Sequence, residues 1–361
     1  MREILEGFRD KNIGKNLADR IASYDGPKIS IMEVCGTHTM SIARYGIRSI
    51  LPDSIRLVSG PGCPVCVTPG YYIGSSIELA GYDDVIIATF GDLMRIPFKD
   101  SCLLKEKSEG RDIRVVYSPL ECISLALDNP LKKIVFLSVG FETTIPVSAL
   151  LAINTLELGI KNLYLLTANK TIPEALKLLS SDKDIGIDGF IYPGHVSAVI
   201  GDMLYKEIAE CYAIGGVITG FDPLDILGAI IRLIDNISAR DPRVENLYSR
   251  IVKPEGNIKA INAINEVFEK CDSIWRGLGL IKGSGLMLRE KYRHMDAWNL
   301  LDSSSISYDE PKGCICGEIL KGKATPDECS LFGKTCTPLT PVGSCMVSSE
   351  GTCAAYQKYN I

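Results

Sequence analysis

The sequence predicts an α/β protein with two parallel-sheet units and a separate cysteine-rich C-terminal segment. Three observations predict it. From about residue 27, short apolar, β-branched runs alternate with longer helix-like stretches, the rhythm of strands covered on both faces by crossover helices. The 361 residues are enough for two or three domains. Of 13 cysteines, six (Cys314, Cys316, Cys329, Cys336, Cys345 and Cys353) crowd the last 48 residues.

The expected strands are 29–34, 56–59, 85–89, 134–139, 163–167, 189–192 and 217–219, each a short apolar run ended by a turn signal. Expected helices cover 75–81, 146–158, 172–180, 197–214 and 223–236. Pro146, Pro173 and Pro223 fall near the starts of three of them, where a missing amide costs nothing. The charged stretch 105–114 reads as a boundary between two α/β units, and 241–256, interrupted by Pro242, Pro254 and Gly256, reads as a second. The expected domains are therefore 24–115, 116–250 and 251–361, with 1–23 packed on the last.

Composition limits the function classes. Apolar residues make up 46% and charged ones 23%, with a net charge of −5, which excludes a nonspecific grip on nucleic acid or an anionic membrane. No stretch reaches the roughly 18 apolar residues of a membrane helix, and the start MREILEGFRDKN carries no signal-like apolar core, so a cytoplasmic protein is expected. In a reducing compartment 13 thiols need an explanation other than disulfide stapling.

Ligands of open parallel sheets meet the loops at the carboxyl ends of strands. The loop after 29–34 carries Cys35, Thr37 and His38, and the one after 56–59 carries Cys63-Pro-Val-Cys66. The run 134–139 is followed by Gly140-Phe-Glu142-Thr-Thr, 189–192 by Pro193-Gly-His195, and 217–219 by Gly220-Phe-Asp222-Pro. Turn chemistry accounts for the glycines and prolines but not the thiols. Cys63 and Cys66 have the spacing of a local disulfide or of two ligands to one metal, against the plainer reading of two packed thiols. Cys35 is either a small apolar residue ending a buried strand or a reactive thiol tuned by Thr37 and His38. His195 reads as a turn histidine or a site group, and Glu142 as the first-turn acid of the following helix or a site carboxylate.

Thiol density in the tail favours a soft metal or an iron–sulfur cluster. Either a zinc ion or a four-cysteine [4Fe-4S] cluster leaves two sulfurs over, and beside a cluster that pair can act as a redox dithiol. Gly317-Glu-Ile-Leu-Lys-Gly-Lys-Ala324 imitates a P-loop but lacks the terminal hydroxyl and a preceding strand, and no serine sits in a nucleophile elbow. Cys102, Cys122, Cys211 and Cys271 belong to no motif and are expected in the core or on helices.

Taken together, MEVCGTHTMSIARYGIRSILP, SGPGCPVCVTP, VGFETTIP, YPGHVSAVIG and the tail CICGEILKGKATPDECSLFGKTCTP…PVGSCMVSSEGTCAAYQKY closely resemble the HypD family of hydrogenase maturation factors over essentially the whole chain. The resemblance implies two parallel-sheet α/β domains flanking a cleft plus a C-terminal iron–sulfur domain. It implies cleft residues Cys35, Cys63 and Cys66 as iron ligands or redox thiols, with His38, Glu142 and His195 beside them. It further implies a [4Fe-4S] cluster on Cys314, Cys329, Cys336 and Cys353, with Cys316 and Cys345 as a redox pair, by likeness to ferredoxin:thioredoxin reductase. The implied role is a scaffold on which iron acquires carbon monoxide and two cyanides for [NiFe]-hydrogenase, with a small HypC-type partner and a HypE-type cyanide donor. A scaffold need not turn over, so enzyme status stays open. The rivals are a cluster-dependent thiol:disulfide reductase of protein substrates and a zinc-stabilised interaction module.

Overall fold

The computed structural model describes residues 10–301 and 310–359. Strands run in chain order β1 (Ile29–Cys35), β2 (Ile55–Gly62), β3 (Val85–Thr89), β4 (Ile113–Val115), β5 (Lys133–Ser138), β6 (Leu163–Thr167), β7 (Gly189–Pro193), β8 (Gly215–Thr219), β9 (Val244–Asn246), β10 (Phe268–Trp275) and β11 (Gly279–Leu288). They form an all-parallel sheet of order β2-β1-β7-β8-β9, a second all-parallel sheet of order β4-β3-β5-β6, and an antiparallel β10–β11 hairpin. The expected α/β class with two parallel sheets is present, and each expected strand is found within a few residues of its predicted ends.

The sheets are not divided at the expected boundary. Ile31 pairs with Leu57 on one side and with Gly189 on the other, so the chain leaves the first sheet after β2, completes the second, and returns for β7. Strands β3 and β4, both inside 24–115, belong with β5 and β6. The stretch 105–114 is no linker either: it ends the helix Leu103–Ser108 and enters β4, whose Ile113 pairs with Ile87. As an edge strand with one partner, β4 tolerates the charges that hid it; Arg114 pairs with Asp112 at 2.9 Å. The stretch 241–256 contains β9, where the first sheet ends.

Two helical expectations also change. Residues 197–214 form two helices, Gly194–Ile200 and Met203–Tyr212, because Gly201 sits at φ +76° against the backbone of Pro254, where a side chain would collide. Residues 11–22 do not pack on the C-terminal segment. The helix Lys11–Ala22, capped by the Asp10 carboxylate, buries Ile21 with Ile226 and Leu227 of the helix Pro223–Ser238 and pairs Arg20 with Asp235 at 2.9 Å. Residues 1–9 lie outside the described residues.

One apolar core joins the parts. Met32, Val34, Phe190 and Ile218 of the first sheet share it with Ile87, Val135 and Leu137 of the second, and it continues through Trp275 to Cys316, Leu320 and Cys345. Burial of this kind contributes about 25 cal/mol per Å² of apolar surface, so it fixes the cysteine-rich segment against both sheets. Among the described residues no helix is long and apolar enough to cross a membrane.

Candidate functional site

In the first sheet the strand order reverses direction at β1 and β7, the place where open α/β sheets leave a crevice at their carboxyl ends. A cavity of about 170 Å³ lies there, lined by Cys35, Gly62, Pro64, Phe141, Thr143, Thr144, Pro193, His195 and Glu350 among others. Residues of the loops after β1, β2, β5 and β7 thus share its wall, while Cys63, Cys66 and the expected loop after β8 are not among its lining residues.

Local backbone makes the meeting close. Register shifts between Glu33 and Cys35, so that Cys35 faces Gly62. A Cβ on Gly62 would stand 1.5 Å from the Val34 carbonyl oxygen. Only glycine permits that approach, which sets Cys63 beside the end of β1. Cys63 caps the short helix Pro64–Val67, and Cys63 and Cys66 are joined as a disulfide, 3% and 0% exposed. Cys35 is a free, buried thiol at the N-terminus of the helix Gly36–Arg44. Amides of Thr37 and His38 favour its anion, but burial, reinforced by Glu350, wins and pushes the thiol up to about 11.

His38 is fully buried, and its Nε2 lies 2.9 Å from the Gly220 carbonyl oxygen, so that nitrogen carries the proton and donates. Its Nδ1 has no partner, and burial lowers its pKa to about 4. It does not line the cavity; it ties the loop after β1 to the loop after β8. His195 does line it and is exposed. The Phe221 ring lies between the two imidazoles, 4.5 Å from His38 and 4.0 Å from His195 by centroids.

Glu142 turns away from its neighbours Phe141 and Thr143. Its Oε1 accepts from the Ile172 N–H at 2.9 Å, at the start of the helix Ile172–Ser181, and its Oε2 is buried without a partner. It lines a second cavity, of about 390 Å³, with Pro173, Leu204, Ile264 and Lys270. The acid therefore serves the helix after β6, not the one directly following it in sequence. Burial raises its pKa to about 7.

All six tail cysteines line one apolar pocket with Ile319, Leu331, Phe332, Gly343 and Met346. The Sγ atoms of Cys316 and Cys345 lie 2.8 Å apart. The thiols of Cys314 and Cys353 are raised by burial first, Cys314 to about 11, and Cys353 also feels Cys316, Cys314, Cys336 and Cys329. Buried soft donors whose anions are unfavourable alone fit a cationic metal centre that compensates them. Among the described residues no group of three or more His, Cys, Asp or Glu is set to hold one metal ion. A cluster binds each thiolate to a different iron and holds the sulfurs further apart. The donor set and its apolar walls fit a [4Fe-4S] group.

Sequence reasoning missed Phe141, Thr143, Thr144 and Glu350. The first three stand in the motif that drew attention to Glu142. Glu350 looks like any surface carboxylate between two cysteines, yet it accepts from the Thr37 hydroxyl at 2.7 Å.

Fold and site together define an α/β protein that gathers thiols at two centres, one at a sheet switch point and one in its C-terminal segment. The chain belongs to the HypD family of hydrogenase maturation factors: the family described as "Hydrogenase formation hypA family" matches residues 12–360. It is 43% identical to the hydrogenase maturation factor HypD of Escherichia coli, over 92% of this chain and 89% of that protein. It is 42% identical to HypD of Rhodobacter capsulatus, over 98% and 97%. Against HypD of Azotobacter vinelandii the identity is 42%, over 98% and 96%.

Proposed function

We propose that this maturation factor is the scaffold and redox component on which the Fe(CN)2CO group of [NiFe]-hydrogenase is assembled, holding iron with a HypC-type partner and accepting cyanide from a HypE-type donor. The observation that carries the reading is the convergence of Cys35, Pro64 of the Cys63–Cys66 turn and His195 on one cavity at the sheet switch point. Iron bearing cyanide and carbonyl is the cargo, and it needs a soft anionic ligand in a pocket that keeps water out. Cys35 supplies that ligand, because binding a cation offsets the burial that otherwise keeps the thiol protonated. Val34, Phe141, Ile172 and Val196 give the cavity apolar walls. His195 and the hydroxyls of Thr143 and Thr144 face the same space and are placed to hydrogen-bond cyanide nitrogens.

Cys63 and Cys66 cycle between disulfide and dithiol, taking up two electrons and two protons on reduction. In the tail Cys314, Cys329, Cys336 and Cys353 hold the [4Fe-4S] cluster, and Cys316 and Cys345, already adjacent, form the redox pair. The cluster, when bound, supplies electrons one at a time. Work in the cytoplasm agrees with free tail thiols.

Burial separates this from the reductase reading, since a protein disulfide cannot reach sulfurs that are 3% and 0% exposed. The test is infrared spectroscopy on the protein co-purified anaerobically with its partners. Cyanide and carbonyl stretches that vanish in Cys35→Ala, with tail-cluster absorbance intact, are expected; no diatomic bands with the full machinery present would overturn the scaffold role.

A further inference from the structure

The cavity of about 390 Å³ that Glu142 lines stands back to back with that of Cys35. Neighbouring residues alternate between the two. Phe141 and Thr143 line the Cys35 cavity and Glu142 the larger one, while Ile172 lines the Cys35 cavity and Thr171 and Pro173 the larger one. Its volume is that of a small-molecule site.

Its walls are apolar and come from separate parts of the fold. Ile200 ends the helix Gly194–Ile200, Leu204 lies in the first turn of the helix Met203–Tyr212, Ile264 belongs to the helix Ile258–Val267, and Phe268 and Leu286 belong to the β10–β11 hairpin. Charged side chains at the mouth are already engaged. Lys270 pairs with Glu174 at 2.9 Å, Arg293 with Glu269 at 3.6 Å, and Arg289 Nε donates to the carbonyls of Asn265 and Phe268 at 2.8 and 3.0 Å.

Glu142 at the closed end is not fully engaged. It is 3% exposed, its Oε1 accepts from the Ile172 N–H, and its Oε2 is buried with no hydrogen-bond partner among the described residues. Such an atom carries a desolvation cost that a donor placed against it removes. A cationic donor removes more, because it also favours the ionised carboxylate that burial opposes. An anion would meet the charge of Glu142, and a metal ion would need further oxygens that these walls do not supply.

We propose that this cavity binds a small organic cation, an alkyl- or arylamine whose ammonium group pairs with Glu142 Oε2 while its apolar body lies between Leu204, Ile264, Phe268 and Leu286. The Thr171 hydroxyl, in the same wall, offers a second acceptor. The site uses neither Cys35 nor the tail thiols, so it stands or falls apart from the scaffold role.

The test titrates hexylamine, in phosphate buffer, into the anaerobic full-length protein labelled at its isoleucine δ1 methyl groups and follows their NMR shifts. Hexan-1-ol and hexanoate, of the same chain length, are titrated in parallel. Hexylamine is expected to move the Ile200, Ile261 and Ile264 signals together to saturation, to bind at least about tenfold more tightly than hexan-1-ol, and hexanoate to leave these signals in place. Glu142→Gln keeps an acceptor for the Ile172 N–H and removes the charge, so hexylamine should bind it no better than hexan-1-ol does. Leu204→Trp, at a half-buried position, fills the cavity and leaves Glu142 in place. It should abolish binding of both probes, which decides the matter should Glu142→Gln not fold. No saturable shift of these signals, equal affinity for hexylamine and hexan-1-ol, or hexylamine affinity unaltered in either variant overturns the site.

Discussion

Thr37 donates its hydroxyl proton to Glu350 at 2.7 Å, although 313 positions separate them in the chain. The bond brings a carboxylate of the cysteine-rich segment into the wall of the Cys35 cavity, where its charge raises the Cys35 thiol. Glu350→Gln keeps an acceptor for Thr37 and removes the charge. The Cys35 thiol, still raised chiefly by burial, then falls toward its ordinary value, which gives more thiolate at a fixed pH below it. Iodoacetamide labelling of Cys35 at pH 8 should speed up accordingly. An unchanged rate, with the disulfide intact, removes Glu350 from the electrostatics of the site.

Glu142 makes stability depend on pH in a sense opposite to that of a salt-bridged acid. Its folded pKa of about 7 lies above the ordinary 4.5, so between those values the folded state binds more protons than the unfolded one. Stability from this group is therefore full below about 4.5 and lost as the pH rises through 7. Glu142→Gln keeps the acceptor for the Ile172 N–H and cannot ionise. The variant should gain about 1 to 3 kcal/mol over the unaltered protein at pH 8 and nothing of the kind at pH 5. Urea denaturation at the two pH values measures it, and an equal difference at both would show that Glu142 ionises freely.

How much of this was legible depends on how local the signal is. Ile29–Cys35 announced itself as a buried run ending in a thiol, and the same logic found β5 before Glu142 and β7 before His195, because strand and functional loop are adjacent in sequence. The insertion of one sheet inside the other was not legible, since the pairing of Ile31 with Gly189 joins strands far apart in the chain and no residue between records it. β4 was concealed by charges that only its edge position excuses. The break at Gly201 needed knowledge of Pro254 behind it. Glu142 was read as the first-turn acid of the following helix or a site carboxylate; it is buried, and its side chain points into a different cavity from that of Phe141 and Thr143, a choice made by backbone geometry and not by composition.

His38 lies in the motif with Cys35, yet its imidazole is buried against Phe221 and donates to Gly220. Its role here is to hold the loop after β8 against the helix after β1. His38→Ala loses a buried hydrogen bond and leaves a cavity, which together cost about 2 to 4 kcal/mol. Chemical denaturation should report that loss, while tail absorbance per folded molecule stays constant because the six-cysteine pocket does not contain His38. A variant of unaltered stability would mean the ring is replaceable and its hydrogen bond contributes little.

The six tail thiols are not equivalent, and their partition can be measured one residue at a time. Cys316 and Cys345 are buried with sulfurs 2.8 Å apart, so each already has the other as neighbour. Cys314, Cys329, Cys336 and Cys353 remain around the same pocket. Serine is nearly isosteric but its hydroxyl is too weak an acid to replace a thiolate as a soft ligand. Serine at position 314, 329, 336 or 353 is therefore expected to lower anaerobic iron content and visible absorbance sharply. Serine at 316 or 345 should leave both near the unaltered level, while making reversible oxidation of the remaining partner impossible. Loss of iron in Cys316→Ser with retention in Cys314→Ser would exchange the two roles. The 2.8 Å pair would then have to open for the cluster to bind.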